Sequence, residues 1–350
     1  MVTKIGLDLG YANIVLSDSI VEIYREPSVA LVYKEPRPDV GRIIAVGSDA
    51  MSFGNEANAE EGMLIRPFKN GLLFDQQITR EVISHAVRAI MPNDNVRCVV
   101  GIPSDFTPKQ EKDLFSMLES AGVKHSLAVA RPIASIIGAG YSPSMSVISV
   151  DIGARSTEVA VIHGGKILLK KREEIGGEDF DRAVKDYILA QGEVNISLIV
   201  ARAIKERLGA VWKGRPNDSL DIEGTLSLTG NKLKVNITTE DIVGVFEPPL
   251  KLLVMAIADA VKQIPTDAVE DIFANGIVLS GGGSELYGID TLISKVLGIS
   301  VTRAQNPMDC VAKGLARINA FLPARMKAEN KNITDQVSKY YESSKNAKGV

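Results

Sequence analysis

Residues 4–9 alternate through Ile5, Leu7 and Leu9 to an Asp-Leu-Gly corner, and 13–17 are apolar again through Ile14, Val15 and Leu16, which predicts a hairpin bent at Gly10. Residues 148–162 (ISVDIGARSTEVAVI) repeat that pattern, so a second strand-turn-strand is predicted there. Asp8 and Asp151, 143 residues apart, stand at equivalent places in the two copies. Between the copies the pattern predicts a short strand at 43–47 and a turn-rich segment at 66–75 leading into a helix from Ile78 to Ile90. A buried strand at 97–103 then precedes a well-signalled helix. Thr107 is its N-cap, Pro108 its first residue, Gln110 completes a capping box, and Gly122 lies just past the end. A strand at 126–130 runs into Pro132 and the apolar helix 133–140.

After the second copy, His163-Gly164-Gly165 predicts a turn within a meander, followed by helices at 178–189 and at 197–208, the latter closed by Gly209. Residues 220–238 alternate about Thr229-Gly230-Asn231, a hairpin on a small outlying lobe. Thr239 is expected to cap a long helix ending near Gln263 and kinked at Pro248 and Pro249. Residues 276–286 (GIVLSGGGSEL) read as a buried strand entering a triple-glycine turn and a helix, and beyond Ala324 the chain is polar. The class is α/β, with a first lobe over 1–143, a second over 144–322 and a polar tail over 323–350.

Composition narrows the picture. At 350 residues the chain can form two cores, and 43 acidic against 40 basic side chains give a net charge of −3, which favours neither nucleic acid nor an anionic membrane. Cys98 and Cys310 sit among apolar neighbours, as buried free thiols do, and imply a reducing compartment. No charged-then-apolar leader precedes Ile5 and no apolar run reaches the length of a membrane span, so a cytoplasmic location without membrane insertion is expected. His85, His125 and His163 are scattered without metal-ligand spacing, and Ser104 and Ser284 lack a nucleophile-elbow frame.

The doubled hairpin has a chemical reading. A glycine at the tip, Gly10 or Gly153, lets backbone N–H groups approach an anion, and two such hairpins can grip a polyphosphate from both sides. The aspartates would be repelled by phosphate; they suit the water shell of a bridging Mg²⁺. One Asp-x-Gly corner alone is ordinary turn chemistry, but one in each half of the chain is not. Gly281, Gly282 and Gly283, after a buried strand, add a turn that a nucleotide can approach closely.

In ordered motifs the chain resembles the actin, chaperone and sugar-kinase ATPase superfamily, and within it the bacterial actin-like proteins of the MreB and MamK kind. They are DLGYAN (8–13), EPSVA (26–30), IRPFKNGLLFD (65–75), VVGIPSDFT (99–107), VDIGARSTEVAVI (150–162), IGGEDFD (175–181), AIKERLG (203–209), GIVLSGGGSELYGID (276–290) and NPMDCVAKG (306–314). The resemblance implies an actin-like fold: two lobes, each with a ribonuclease-H-like β-sheet flanked by helices, and four subdomains around a central nucleotide cleft. The small outer subdomains would cover about 31–68 and 182–240. It implies ATP or ADP with Mg²⁺ as cofactors, and head-to-tail assembly of the chain with itself into filaments. By motif, Gly10, Tyr11, Ala12 and Asn13 would meet the phosphates from one side, and Gly153, Ala154, Arg155 and Ser156 from the other. Gly177, Arg202, Lys205 and Glu206 would meet the ribose and base, with Gly281, Gly282, Gly283 and Ser284 backing the adenosine. Asp8 and Asp151 would order the metal's waters.

Three positions depart from the family pattern. Arg131 stands where a glutamate positions the attacking water, Tyr11 replaces a threonine, and Ala154-Arg155 replaces two glycines. Arginine cannot accept a proton, so Arg131 would act by its charge and hydrolysis would be slow; its other reading is a structural salt bridge. The alternative function is a non-polymerising nucleotide-binding scaffold, and a small-molecule kinase lacks an acceptor motif. The polar tail could tether an adaptor or cargo protein, and ATP against GTP is left open.

Overall fold

The computed structural model describes residues 3–18, 23–35, 41–55, 62–69, 72–73, 75–90, 96–322 and 337. The tail expected at 323–350, save Val337, therefore lies outside the described residues. The chain divides into two compact units. One gathers 1–145, 162–166 and 308–350, and the other 146–161 and 167–307.

The first unit is built on a five-stranded sheet in the order His125–Ala130, Val96–Ile102, Thr3–Leu9, Asn13–Asp18, Ile23–Pro27. The first three strands are parallel, and the last two continue antiparallel from the hairpin, where Leu9 pairs with Ile14. Alternation sends Ile5, Leu7 and Leu9 into a core shared with Ile78, Val82 and Ile83 of the helix Gln76–Ile90 and Leu114 and Leu118 of Pro108–Ser120. The predicted capping box of that second helix is present, with Thr107 accepting from the Gln110 N–H and the Gln110 side chain from the Thr107 N–H.

The opposite sheet face takes a helix from the far end of the chain, Cys310–Phe321. A Cβ on Gly6 would stand 2.4 Å from the Ala312 carbonyl oxygen, so this helix lies directly on the first strand. Buried Arg97 fastens it: Nε donates to Asn319 Oδ1 at 2.6 Å, and Asn319 Nδ2 donates to the Ile5 and Arg97 carbonyls, each at 2.8 Å. The sequence places residues up to 322 in the second lobe; in the structure the chain returns to the first unit at 308. A small antiparallel sheet, Ile43–Val46, Ala30–Tyr33 and Gly62–Ile65, packs with the helix Gly47–Asn55.

The second unit repeats the plan. Its five-stranded sheet runs Val301–Arg303, Ile277–Ser280, Val147–Ile152, Thr157–His163, Lys166–Glu173, with the first three again parallel. Ile148, Val150 and Ile152 share a core with Phe180 and Val184 of the helix Gly177–Gly192, Ile204 and Leu208 of Leu198–Leu208, and Phe246. A second small sheet joins Val194–Asn195, Ser219–Leu226 and Lys232–Thr238.

Two expectations change here. The long helix from Thr239 is divided: Thr238 caps a single turn, Thr239–Ile242, and a separate helix runs Glu247–Lys262. Pro248 and Pro249 lie in its first turn, where a missing N–H costs nothing, so they start a helix instead of bending one. The glycine triplet leads into a 3₁₀ turn, Gly282–Glu285, and the α-helix begins only at Ile289. Both cysteines are buried free thiols, and burial pushes the Cys98 thiol far above its ordinary value. Among the described residues no helix is long and apolar enough to cross a membrane.

Candidate functional site

In the first unit the hairpin tip is closed by the Gly10 N–H donating to the Asn13 carbonyl at 3.0 Å. Its other carbonyls are bonded away from the tip. Ser28 Oγ donates to Gly10 O at 2.7 Å, the Ser28 N–H to Ala12 O at 2.9 Å, and Arg66 to Ala12 O at 3.0 Å and Tyr11 O at 3.3 Å. The Arg66 guanidinium also lies 5.4 Å from the Tyr11 ring centroid. A trans peptide sets C=O and N–H on opposite sides, so donors on these carbonyls turn the following N–H groups the other way. The result is an amide edge of the kind that receives anions. Ser28 and Arg66 fall within quoted motifs, yet nothing in their local pattern signals this second layer.

The second hairpin is held by the same logic with different parts. The Gly153 N–H donates to Ser156 O at 3.0 Å, while the N–H groups of Gly177 and Glu178 donate to the carbonyls of Gly153 and Ala154 at 2.9 and 2.8 Å. The first N–H groups of the helix Gly177–Gly192, unpaired within any helix, are thus spent on the turn. Arg155 donates to Glu178 Oε2 at 3.0 Å, an oxygen shared with Arg182, and Arg172 donates to Ser156 Oγ at 3.3 Å. Arg155, expected at the phosphates, is thus paired with a carboxylate of the helix Gly177–Gly192.

Each hairpin carries its buried aspartate. Asp151 is 5% exposed and accepts from Ser280 Oγ at 3.2 Å. Asp8 is 6% exposed and accepts from Arg131 NH1 at 2.6 Å. Arg131 therefore forms a salt bridge with Asp8. Among the described residues no group of three or more His, Cys, Asp or Glu could hold a metal. Asp151, a buried carboxylate at a strand end that accepts from a neutral hydroxyl on Oδ1, fits the outer water shell of a magnesium ion; Asp8, with a guanidinium on Oδ1, fits it less well.

Lys205 and Arg202 converge on Asp181, which is fully buried. Lys205 Nζ lies 2.6 Å from Asp181 Oδ1 and donates to the Gly177 carbonyl at 3.0 Å; Arg202 Nε donates to Asp181 Oδ2 at 3.1 Å. The cations expected at the sugar and base are thus anchored to the helix that braces the second hairpin. Glu206 is exposed, and its carbonyl accepts from Arg215 at 3.4 Å. Gly281 has φ 78° and ψ 158°, and a Cβ there would stand 2.4 Å from Ile152 O and 2.5 Å from Asp151 Oδ1. Ser284 is buried with Oγ donating to Gly281 O at 2.7 Å, so its hydroxyl fastens the turn and is not offered to a ligand. Gly282 is the exposed member of the triplet.

This pairing of like units is matched elsewhere. The family model for the MreB/Mbl protein covers residues 2–326. The chain belongs to the MreB/Mbl family. Among MreB/Mbl proteins, it is 29% identical over 317 residues to the cell shape-determining protein Mbl of Bacillus cereus, covering 89% of this chain and 93% of that one. It is also 29% identical over 324 residues to the cell shape-determining protein MreB of Escherichia coli K12, covering 89% and 91%. Of solved structures, MreB5 of Spiroplasma citri bound to ADP superposes with a TM-score of 0.82 at 22% identity over 90% of this chain and 95% of that one. A MamK double helical filament gives 0.77 at 22% identity over 92% and 100%. The actin-like α/β fold expected from the sequence is thereby shown.

Proposed function

We propose that this chain is a cytoskeletal ATP-binding protein that polymerises head-to-tail into filaments, with nucleotide state biasing assembly. One observation carries the reading. In each unit the central strand of the five-stranded sheet ends in a buried aspartate followed by a turn whose carbonyls are bonded away. That construction, made twice with different side chains, serves an anionic ligand. Support for adenine nucleotide comes from relatives: MreB5 of Spiroplasma citri has been solved with ADP and with AMPPNP. Support for assembly comes from the MamK filament.

In this reading the amide edges at 10–13 and at 153–156 each serve as a phosphate-binding turn. Lys205 and Arg202 meet the sugar and base, and Gly282 gives the adenosine a surface without a side chain. Magnesium, when bound, neutralises phosphate oxygens, and Asp151 would hold its waters. Arg131, permanently protonated and engaged with Asp8, cannot take a proton from water, so hydrolysis is slow. Nucleotide binding shifts the population towards the polymerising form, and turnover reverses the shift slowly. The protein works in the cytoplasm, its first partner is its own copy, and the polar tail is a tether for an adaptor.

Electron microscopy and pelleting of the purified chain with ATP and Mg²⁺ test this directly. Filaments that form with ATP or AMPPNP and are scarce without nucleotide are expected. Binding of ATP without any assembly across salt and temperature would leave the scaffold reading in place. Absence of ATP binding by calorimetry would end both.

A further inference from the structure

The ion pair between Arg131 and Asp8 has a particular construction. Arg131 is the first residue of the helix Arg131–Gly138 and follows directly on the strand His125–Ala130. Asp8 lies two strands away, across Val96–Ile102. Adjacent strands are about 4.8 Å apart, so the side chain of residue 131 crosses roughly two such spacings to reach its partner. Gly101 leaves the path open. It pairs with Asp8 on one side and Val129 on the other, and a Cβ there would stand 3.3 Å from Arg131 Cγ. A glutamate at 131 is shorter and would bring like charge towards Asp8. The arginine makes its bond at 2.6 Å with side-chain exposures of only 18% and 9% for the two partners.

A carboxylate this buried at the end of a strand requires a countercharge, and a guanidinium supplies one that no accessible pH removes. In a nucleotide site the same carboxylate would otherwise repel an incoming triphosphate unless a divalent cation stood between them. From this geometry we infer that Arg131 is the resident countercharge of Asp8, filling from within the chain the place of a hydrated divalent cation on the first hairpin. The inference rests on the proposed nucleotide reading of the 10–13 turn. Its consequence is that the first hairpin adds little to the magnesium dependence of triphosphate binding, which falls to Asp151. Arg131 is thus a binding-site countercharge and not a substitute general base.

Calorimetric titration of the full chain with AMPPNP, in Mg²⁺ and again in EDTA, tests it with the wild type, Arg131→Gln and the double variant Arg131→Gln/Asp8→Asn. Removing the metal should weaken Arg131→Gln by at least about tenfold more than it weakens the wild type, the scale set by an unpaired buried charge. The double variant, with no carboxylate left to compensate at the first hairpin, should return to the wild-type ratio. A merely structural salt bridge would change stability without this pattern of ratios. An Arg131→Gln variant with the wild-type ratio overturns the inference. Should Arg131→Gln fail to fold, Asp8→Asn alone decides: it frees the arginine for phosphate and should tighten metal-free binding several-fold, and weaker binding refutes the idea. If the wild type binds AMPPNP in neither buffer, the nucleotide reading itself has failed.

Discussion

Replacing Gly281 by alanine probes how the glycine turn positions the aspartate of the second hairpin. At φ 78° and ψ 158° the residue occupies a region of backbone space reserved in practice for glycine, and a side chain there costs about 1–3 kcal/mol. The new Cβ would also stand 2.4 Å from the Ile152 carbonyl oxygen and 2.5 Å from Asp151 Oδ1. Neither is the loose end of a flexible chain: Ile152 is the last residue of a central strand and Asp151 is buried beside it. Opening these contacts adds about 1–3 kcal/mol of overpacking strain, giving a total near 4 kcal/mol. For a unit of this size that is roughly 8–16 °C in Tm. The assay is built into the chain, whose one tryptophan, Trp212, belongs to the second unit and is 40% exposed. Thermal and urea unfolding followed by its fluorescence should report the loss, and calorimetry should show weaker ATP binding because Asp151 is displaced. A Gly281→Ala protein within about 1 kcal/mol of the wild type would show that the turn yields easily and that its glycine has no part in placing Asp151.

Two further outcomes follow from buried ionisable groups. Asp181→Asn leaves Lys205 and Arg202 without their shared anion and should cost about 2–4 kcal/mol, the lower part of the range for broken buried pairs because Arg202 is a third exposed; unchanged urea unfolding by Trp212 fluorescence would refute this. Burial, with the hydrogen bond from Tyr24 to Glu26 Oε2 at 3.0 Å, pushes the Tyr24 hydroxyl up to about 12. Because the folded value is raised, that stabilisation is complete below about 10 and fades as pH climbs towards 12. Absorbance titration of phenolate should show a late component that is missing in Tyr24→Phe, and a titration curve unchanged by that substitution would contradict it.

What the sequence disclosed was local. Both hairpins, the capping box at Thr107 and the turn at 229–231 are written in adjacent residues whose backbone preferences agree with the fold. Pro248 and Pro249 misled because a proline signals a break without saying which side of it the helix lies on. The unforeseen parts of the site are all partnerships across distance. Arg131 with Asp8 spans 123 residues, Ser280 with Asp151 spans 129, and Arg66 with Ala12 spans 54. No periodicity encodes such pairs; only the folded sheet brings them together.

The helix that lies on Gly6 is among the last described parts of the chain, and the bond from Asn319 to Ile5 joins residues 314 positions apart. At typical translation speeds of about 5–20 residues per second, the opening strand waits roughly 15–60 s on the ribosome for that cover. The stretch containing the second unit, complete by Pro307, emerges sooner than the final piece of the first. The unit whose first strand is made earlier is therefore the later of the two to be finished, and nascent chains stalled before residue 308 would carry it without its closing helix.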